Sequence, residues 1–159
     1  MERTIDWASR LDLAAHAEGG YFRRIYTDHR SQGRGDDARP WATSIHYLLT
    51  RDAPVGRLHR NRSTILHYLQ HGGPVEYVLL PAPGVCRRIV LGYGDGQDLF
   101  LAVDGGCWKG SRLTGDATHA LVSEVVVPGF DYADHEFMTA DELGRSHAAF
   151  ADGLQDLVR

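Results

Sequence analysis

Eight short runs rich in β-branched and aromatic residues, each cut off by a cluster of Gly, Pro or Asp, occupy the chain from about Gly20 to Val127. They are YFRRIYT from Tyr21, ATSIHYLL from Ala42, STILHYLQ from Ser63, VEYVLLP from Val75, CRRIVLG from Cys86, DLFLAV from Asp98, CWKGSRL from Cys107 and THALVSEVVV from Thr118. Such residues favour the pleated strand, and the punctuation keeps the runs short. Many short strands at regular spacing bury one face only by pairing antiparallel and closing on themselves. The sequence therefore predicts an all-β barrel or sandwich. A chain of 159 residues fits a single domain over 1–159, with a core that needs no cross-link.

The two ends read differently. Ile5, Ala8, Leu11 and Leu13 fall near helical spacing behind Thr4 as a cap, which predicts a short N-terminal helix. Thr139 and Glu142 form a capping box, and Leu143, Phe150, Leu154 and Val158 recur at turn spacing. An amphipathic C-terminal helix over about 140–158 should pack on a barrel spanning about 18–138. The stretch from Asp28 to Pro40, DHRSQGRGDDARP, exceeds an ordinary connection of about 4 to 6 residues. It reads either as a flap over a barrel mouth or as a surface loop.

Charge narrows the partners. A formal net charge of -4 and a pI near 6.1 provide no basic field, so nucleic acid is not an expected partner. The opening MERTIDWASRLDL does not resemble a signal peptide and no run is long enough to span a bilayer. A cytoplasmic protein without membrane contact is expected, with Cys86 and Cys107 as free thiols.

Five segments carry more than a fold class: EGGYFR from Glu18, preceded by His16; TSIHYLL from Thr43; His59-Arg60 followed by GGPVEY ending at Tyr77; LGYGDGQ from Leu91; and VPGFDY from Val127. In this order and spacing they resemble a family of small single-domain cupins catalogued as a domain of unknown function, over roughly residues 11 to 143. The resemblance implies a double-stranded β-helix, the cupin jelly-roll barrel, usually as a homodimer around a pocket for a small molecule. The chain departs from the family pattern at Arg57-Leu-His59-Arg-Asn-Arg-Ser-Thr-Ile65-Leu-His67-Tyr68. There the family has His-Arg, four residues, then Glu-Ile-Trp-His, and an ungapped placement puts Glu on Ile65, Trp on His67 and His on Tyr68. In the second motif Lys109 stands where metal-binding cupins hold a His.

Residues two apart on a strand share a face, so an inward His59 brings Arg57 with it, as His67 does Ile65 and Leu69. Arg57 and Lys109 are then two fixed positive charges with no carboxylate set against them, which disfavours a divalent ion. The expectation is a pocket with no cofactor. The alternative is a divalent metal such as iron, zinc, manganese or nickel on His59 and His67, with a third ligand such as His46 or Glu76.

A metal-free cationic pocket suits an anionic or enolisable substrate: a small organic acid, sugar derivative or polyketide-like intermediate of secondary metabolism. His59 and His67 would move the proton, and Tyr68 is a candidate acid although alternation sets it opposite His67. Arg57, Lys109, His46, Tyr21, Trp108 and Glu18 are the candidate ligand contacts. Glu18 also reads as an acceptor for the N–H groups of its turn, and His46 lies either on a solvated face or in a polar pocket. An isomerase, epimerase or cyclase is the leading reading. A metal-dependent oxygenase and a non-catalytic ligand-binding protein are the alternatives.

Overall fold

A computed structural model describes residues 5–158 of the chain. A single helical turn, α1 (Trp7–Arg10), opens it; the Asp6 carboxylate accepts from the Ser9 N–H at 3.1 Å. Thr4, the cap expected from the sequence, lies outside the described residues. Among the described residues the strands are β1 (Ala14–Ala15), β2 (Tyr21–Thr27), β3 (Ser31–Gln32), β4 (Arg39–Pro40), β5 (Thr43–Thr50), β6 (Val55–Asn61) and β7 (Thr64–Gly72). β8 (Val75–Leu80), β9 (Arg87–Leu91), β10 (Phe100–Val103), β11 (Trp108–Leu113), β12 (His119–Val127) and β13 (His135–Phe137) complete them. Each of the eight runs contains a strand, in keeping with its β-branched and aromatic residues.

Two antiparallel sheets face each other, one ordered β1-β2-β5-β12-β7-β10 and the other β13-β6-β11-β8-β9. Tyr47, Leu49, Leu69, Tyr77, Leu79, Leu101 and Val122 fill the space between them. This is the jelly-roll barrel expected of the sequence.

A second core lies outside the five-stranded sheet, where Leu58, Val78, Leu80 and Trp108 meet Met138, Leu143, Leu154 and Leu157. The C-terminal segment that covers it is not one helix. It divides into α2 (Ala140–Ser146), capped by Thr139 as expected, and a 3-10 helix over Ala151–Leu157. Tertiary ties cause the break: the buried His147 ring bonds the Ala82 carbonyl at 2.9 Å, and the Gly84 N–H donates to the Ser146 carbonyl. The end of α2 is thereby fixed to the loop after β8.

The polar stretch from Asp28 to Pro40 is a braced wall. Arg39 is buried and makes a bidentate fork with Asp134 at 2.7 and 3.0 Å, while its other nitrogen donates to the carbonyls of Asp36 and Ala38. The Gly129 N–H donates to the Pro40 carbonyl at 2.7 Å, and the Phe130 N–H to Thr43 Oγ1 at 2.9 Å. These bonds hold residues 129–135 against the barrel mouth.

Candidate metal centre

Between the sheets, at the end framed by this brace, lies a cavity of about 500 Å³. Phe22, Ile45, Ile65, Val126 and Phe130 form its apolar walls, and Glu18, His16, His59, Asn61 and Glu124 its polar ones.

Glu18 is delivered by a turn that only glycines allow. Gly19 and Gly20 have φ of +98° and +70°, and a Cβ on Gly19 would stand 2.1 Å from the Val55 carbonyl oxygen. The Arg57 N–H donates to the Glu18 carbonyl at 2.6 Å, pinning the residue beside β6. Its carboxylate then meets three imidazoles: Glu18 Oε1 is 3.1 Å from His135 Nε2, 3.3 Å from His59 Nε2 and 3.9 Å from His16 Nε2. His59 and His135 stack with ring centroids 5.2 Å apart.

Backbone partners set the tautomers. His59 Nδ1 lies 2.7 Å from the Arg57 carbonyl, which only accepts, so Nδ1 carries a proton. Burial pushes the His59 pKa down to about 4 against the pull of Glu18, and Lys109 adds to the push. At neutral pH His59 Nε2 therefore presents a lone pair. Burial works to raise the Glu18 carboxyl, but His59, His135, His16 and Lys109 outweigh it and keep it ionised. Two acceptors thus face each other at 3.3 Å, an arrangement that calls for a cation between them.

His16 has the opposite tautomer. Its Nδ1 accepts from the Glu18 N–H at 3.0 Å, so Nε2 carries the proton and points it at the carboxylate.

The ligand atoms of Glu18, His59 and His135 all lie within 4.8 Å of one another. Donors each about 2.0–2.2 Å from one ion sit roughly 3.0–3.5 Å apart, which matches the 3.1 and 3.3 Å contacts. Two imidazoles and a carboxylate form a donor set for zinc, iron or another divalent transition metal. The backbone carbonyl on His59 Nδ1 is the kind of outer partner that orients a ligating histidine.

A second polar group lies deeper, on the strands. Lys109 Nζ donates to His67 Nε2 at 2.7 Å and lies 3.5 Å from Glu124 Oε1, and His67 Nδ1 is 3.1 Å from the Leu101 carbonyl. His67 is fully buried, and burial followed by the Lys109 charge pushes its pKa well down. Burial raises the Glu124 carboxyl against the opposing pull of Lys109.

Some of the candidates read from the sequence lie at the cavity and others away from it. His59 faces the cavity, and Lys109 is its cross-strand partner. His67 points inward but is sealed beneath the cavity by its bond to Lys109. Arg57 does not accompany His59, because β6 holds an extra residue opposite the Lys109 to Ser111 step of β11. That bulge breaks the alternation, and Arg57 instead covers the Phe137 ring at 4.2 Å.

Tyr68 is 41% exposed on the outer face against Phe100, so it is no acid for this cavity. His46 lies on the same outer face, with Nδ1 3.3 Å from Ser123 Oγ. Tyr21 donates to Asp52 at the surface, and its neighbour Phe22 faces the cavity. Trp108 packs beneath the C-terminal layer with Arg60 over its ring, because its neighbour Lys109 takes the inward position. Glu76 pairs with Arg88 and Arg112, outside the site. The barrel is also not free of carboxylates, since Glu18 and Glu124 both stand against its cations.

Sequence reasoning missed His135, His16 and Glu124. Glu124 left a signal: it shares the parity of Val122 and Val126 in an otherwise apolar inward row. His16 precedes the glycine turn, as the quoted motif already showed. His135 sits on a three-residue strand after a 3-10 turn and shows no periodicity.

A jelly-roll barrel with histidines and a carboxylate gathered at its open end defines the class of the cupins. The chain belongs to the family described as Cupin superfamily (DUF985), whose profile matches residues 5–138. It is 37% identical over 153 residues to the uncharacterized protein YML079W of Saccharomyces cerevisiae, covering 86% of this chain and 74% of that one. Among solved structures it is similar to a hypothetical protein from Leishmania major, at 29% identity and a TM-score of 0.86, covering 96% of both chains. Protein SO0799 from Shewanella oneidensis has a TM-score of 0.88 at 26% identity, covering 100% of this chain and 99% of that one. Oxalate decarboxylase from Bacillus subtilis, at 13% identity and a TM-score of 0.55 over 90% of this chain and 36% of that one, shares the fold alone. No helix among the described residues is long and apolar enough to cross a membrane.

Proposed function

We propose that the protein is a metal-dependent cupin enzyme in which Glu18, His59 and His135 hold one divalent transition-metal ion beside a cavity for a small organic substrate. The observation that carries this reading is the convergence of the ligand atoms of Glu18, His59 and His135 within 4.8 Å of one another, with His59 Nδ1 turned to the Arg57 carbonyl. Such an ion, when bound, supplies Lewis-acid polarisation of a substrate oxygen and, for iron, oxygen chemistry at its open positions. The chain's own residues do the rest. The Arg57 carbonyl fixes His59 as an Nε2 donor, His16 accepts from the Glu18 N–H and so fixes the backbone that carries the carboxylate, and the apolar walls keep water from the substrate. The test is elemental analysis of protein purified without chelator, with about one equivalent of a transition metal expected per chain. Protein that stays metal-free and takes up none on reconstitution would end the reading.

One second reading is supported by the contact of Glu18 with His59. A proton also satisfies the Glu18–His59 pair, which would make it an acid–base pair for isomerase, epimerase or cyclase chemistry without metal. His59 and His135 would then be the active imidazoles, not His67. Full retention of activity on an identified substrate after removal of metal would select it.

A further inference from the structure

We propose that the substrate of this cavity is a small monocarboxylic acid with an apolar, ring-sized body, and that Arg24 holds its carboxylate. The proposal takes the cavity from the functional reading above, but Arg24's own role is independent of the metal.

The charged side chains that line the cavity are Glu18, Glu124, Asp131 and Arg24. The first three are already engaged. Glu18 meets its histidines, Glu124 lies 3.5 Å from Lys109, and Asp131 lies 3.9 Å from Arg39 and accepts from the Ala133 N–H at 2.8 Å. Among the described residues, Arg24 is the one charged group of the cavity with neither an ion-pair partner nor a side-chain hydrogen bond. It pairs in register with Ile45 and so shares that residue's cavity-facing side of the sheet, and its guanidinium stands 5.9 Å from the centre of the Phe130 ring.

A guanidinium beside an aromatic wall binds a planar carboxylate through a two-pronged fork, and the fork rejects an amine. A phosphate dianion needs more positive charge than one arginine supplies in a cavity that Glu18, Glu124 and Asp131 also line. The remaining wall, from Phe22, Ile45, Ile65, Val126 and Phe130, offers apolar area to the body of the ligand, in a volume typical of sites for small organic molecules.

The experiment measures, by calorimetry and ligand-detected NMR on the full chain, the binding of phenylacetate, its neutral isostere phenylacetamide, and phenyl phosphate. Phenylacetate is expected to bind about tenfold or more tightly than phenylacetamide, the difference made by a charge-assisted hydrogen-bond pair. Arg24→Met is expected to abolish that preference and Arg24→Lys to keep part of it, with phenylacetate binding falling more than phenylacetamide binding in both. Failure of phenylacetate to bind, equal binding of the two probes, an unchanged preference in Arg24→Met, or tighter binding of phenyl phosphate overturns the proposal. Cobalt titration of the same samples separates the two readings. A carboxylate preference that depends on Arg24 without cobalt binding ends only the metal reading, and cobalt binding without the preference ends only this one.

Discussion

Lys109, His67 and Glu124 come from three interior strands of the two sheets, whereas Glu18, His59 and His135 come from a glycine turn, a bulged strand and a three-residue edge strand. The strand-borne group is complete. The Lys109 ammonium has the neutral His67 nitrogen as acceptor and Glu124 as counter-charge, and His67 spends its own proton on the Leu101 carbonyl. The turn-borne group is not complete, since His59 and Glu18 offer lone pairs to the same point. The same residue types thus build the barrel interior in one place and a receptor for a cation in the other. What separates them is whether every acceptor already has a donor.

The largest expected effect breaks the complete group. Lys109→Met leaves Glu124 buried without its cation and should lower stability by about 3–5 kcal/mol in chemical denaturation. Lys109→Met with Glu124→Leu should recover most of it, and a single variant as stable as the wild type would dissolve the distinction between the groups. Divalent-cation binding should survive in the single variant.

Next in size is the brace behind the incomplete group. Arg39→Met releases Asp134, the residue before His135, and is expected to weaken cobalt affinity about tenfold to a hundredfold, with Arg39→Lys partly restoring it. Unchanged affinity in a folded Arg39→Met would confine Arg39 to stability.

The smallest effect is a slope. His67 is neutral in the folded chain well below its usual 6.5, so as pH falls through 6.5 the unfolded chain binds a proton that the folded chain excludes. The folded state must then lose stability on acidification, by up to about 1.4 kcal/mol per pH unit for this residue. His67→Gln, which keeps an acceptor for Lys109 but cannot titrate, should flatten the dependence of thermal midpoint on pH below 6.5. An equally steep slope would place the titration elsewhere.

The strands were legible because alternation of Tyr47 and Leu49 with His46, or of His67 and Leu69 with Tyr68, is a local property of an extended chain. Alternation also set Tyr68 on the face opposite His67, where it lies, whereas the inward place of Lys109 came from the family resemblance. It failed at Arg57, where one extra residue on β6 resets the parity, and a bulge is set by the partner strand rather than by its own sequence. The candidate centre was half legible. His59 and Glu18 lie in recurrent segments, but their meeting depends on the Gly19 turn docking against Val55, and His135 arrives through the Arg39 brace. Such tertiary contacts leave no period. Nor does the bond from His147 to Ala82 that ends α2 early.

The most direct measurement is titration of metal-free protein with cobalt(II), followed by its visible absorption, in the wild type, Glu18→Ala, His59→Ala and His67→Gln. The expected result is saturation at one equivalent in the wild type and in His67→Gln, with binding lost or weakened at least about a hundredfold in the other two. A wild type that binds no cobalt, or a folded Glu18→Ala that binds it as tightly as the wild type, would contradict the assignment of Glu18, His59 and His135 as the metal centre.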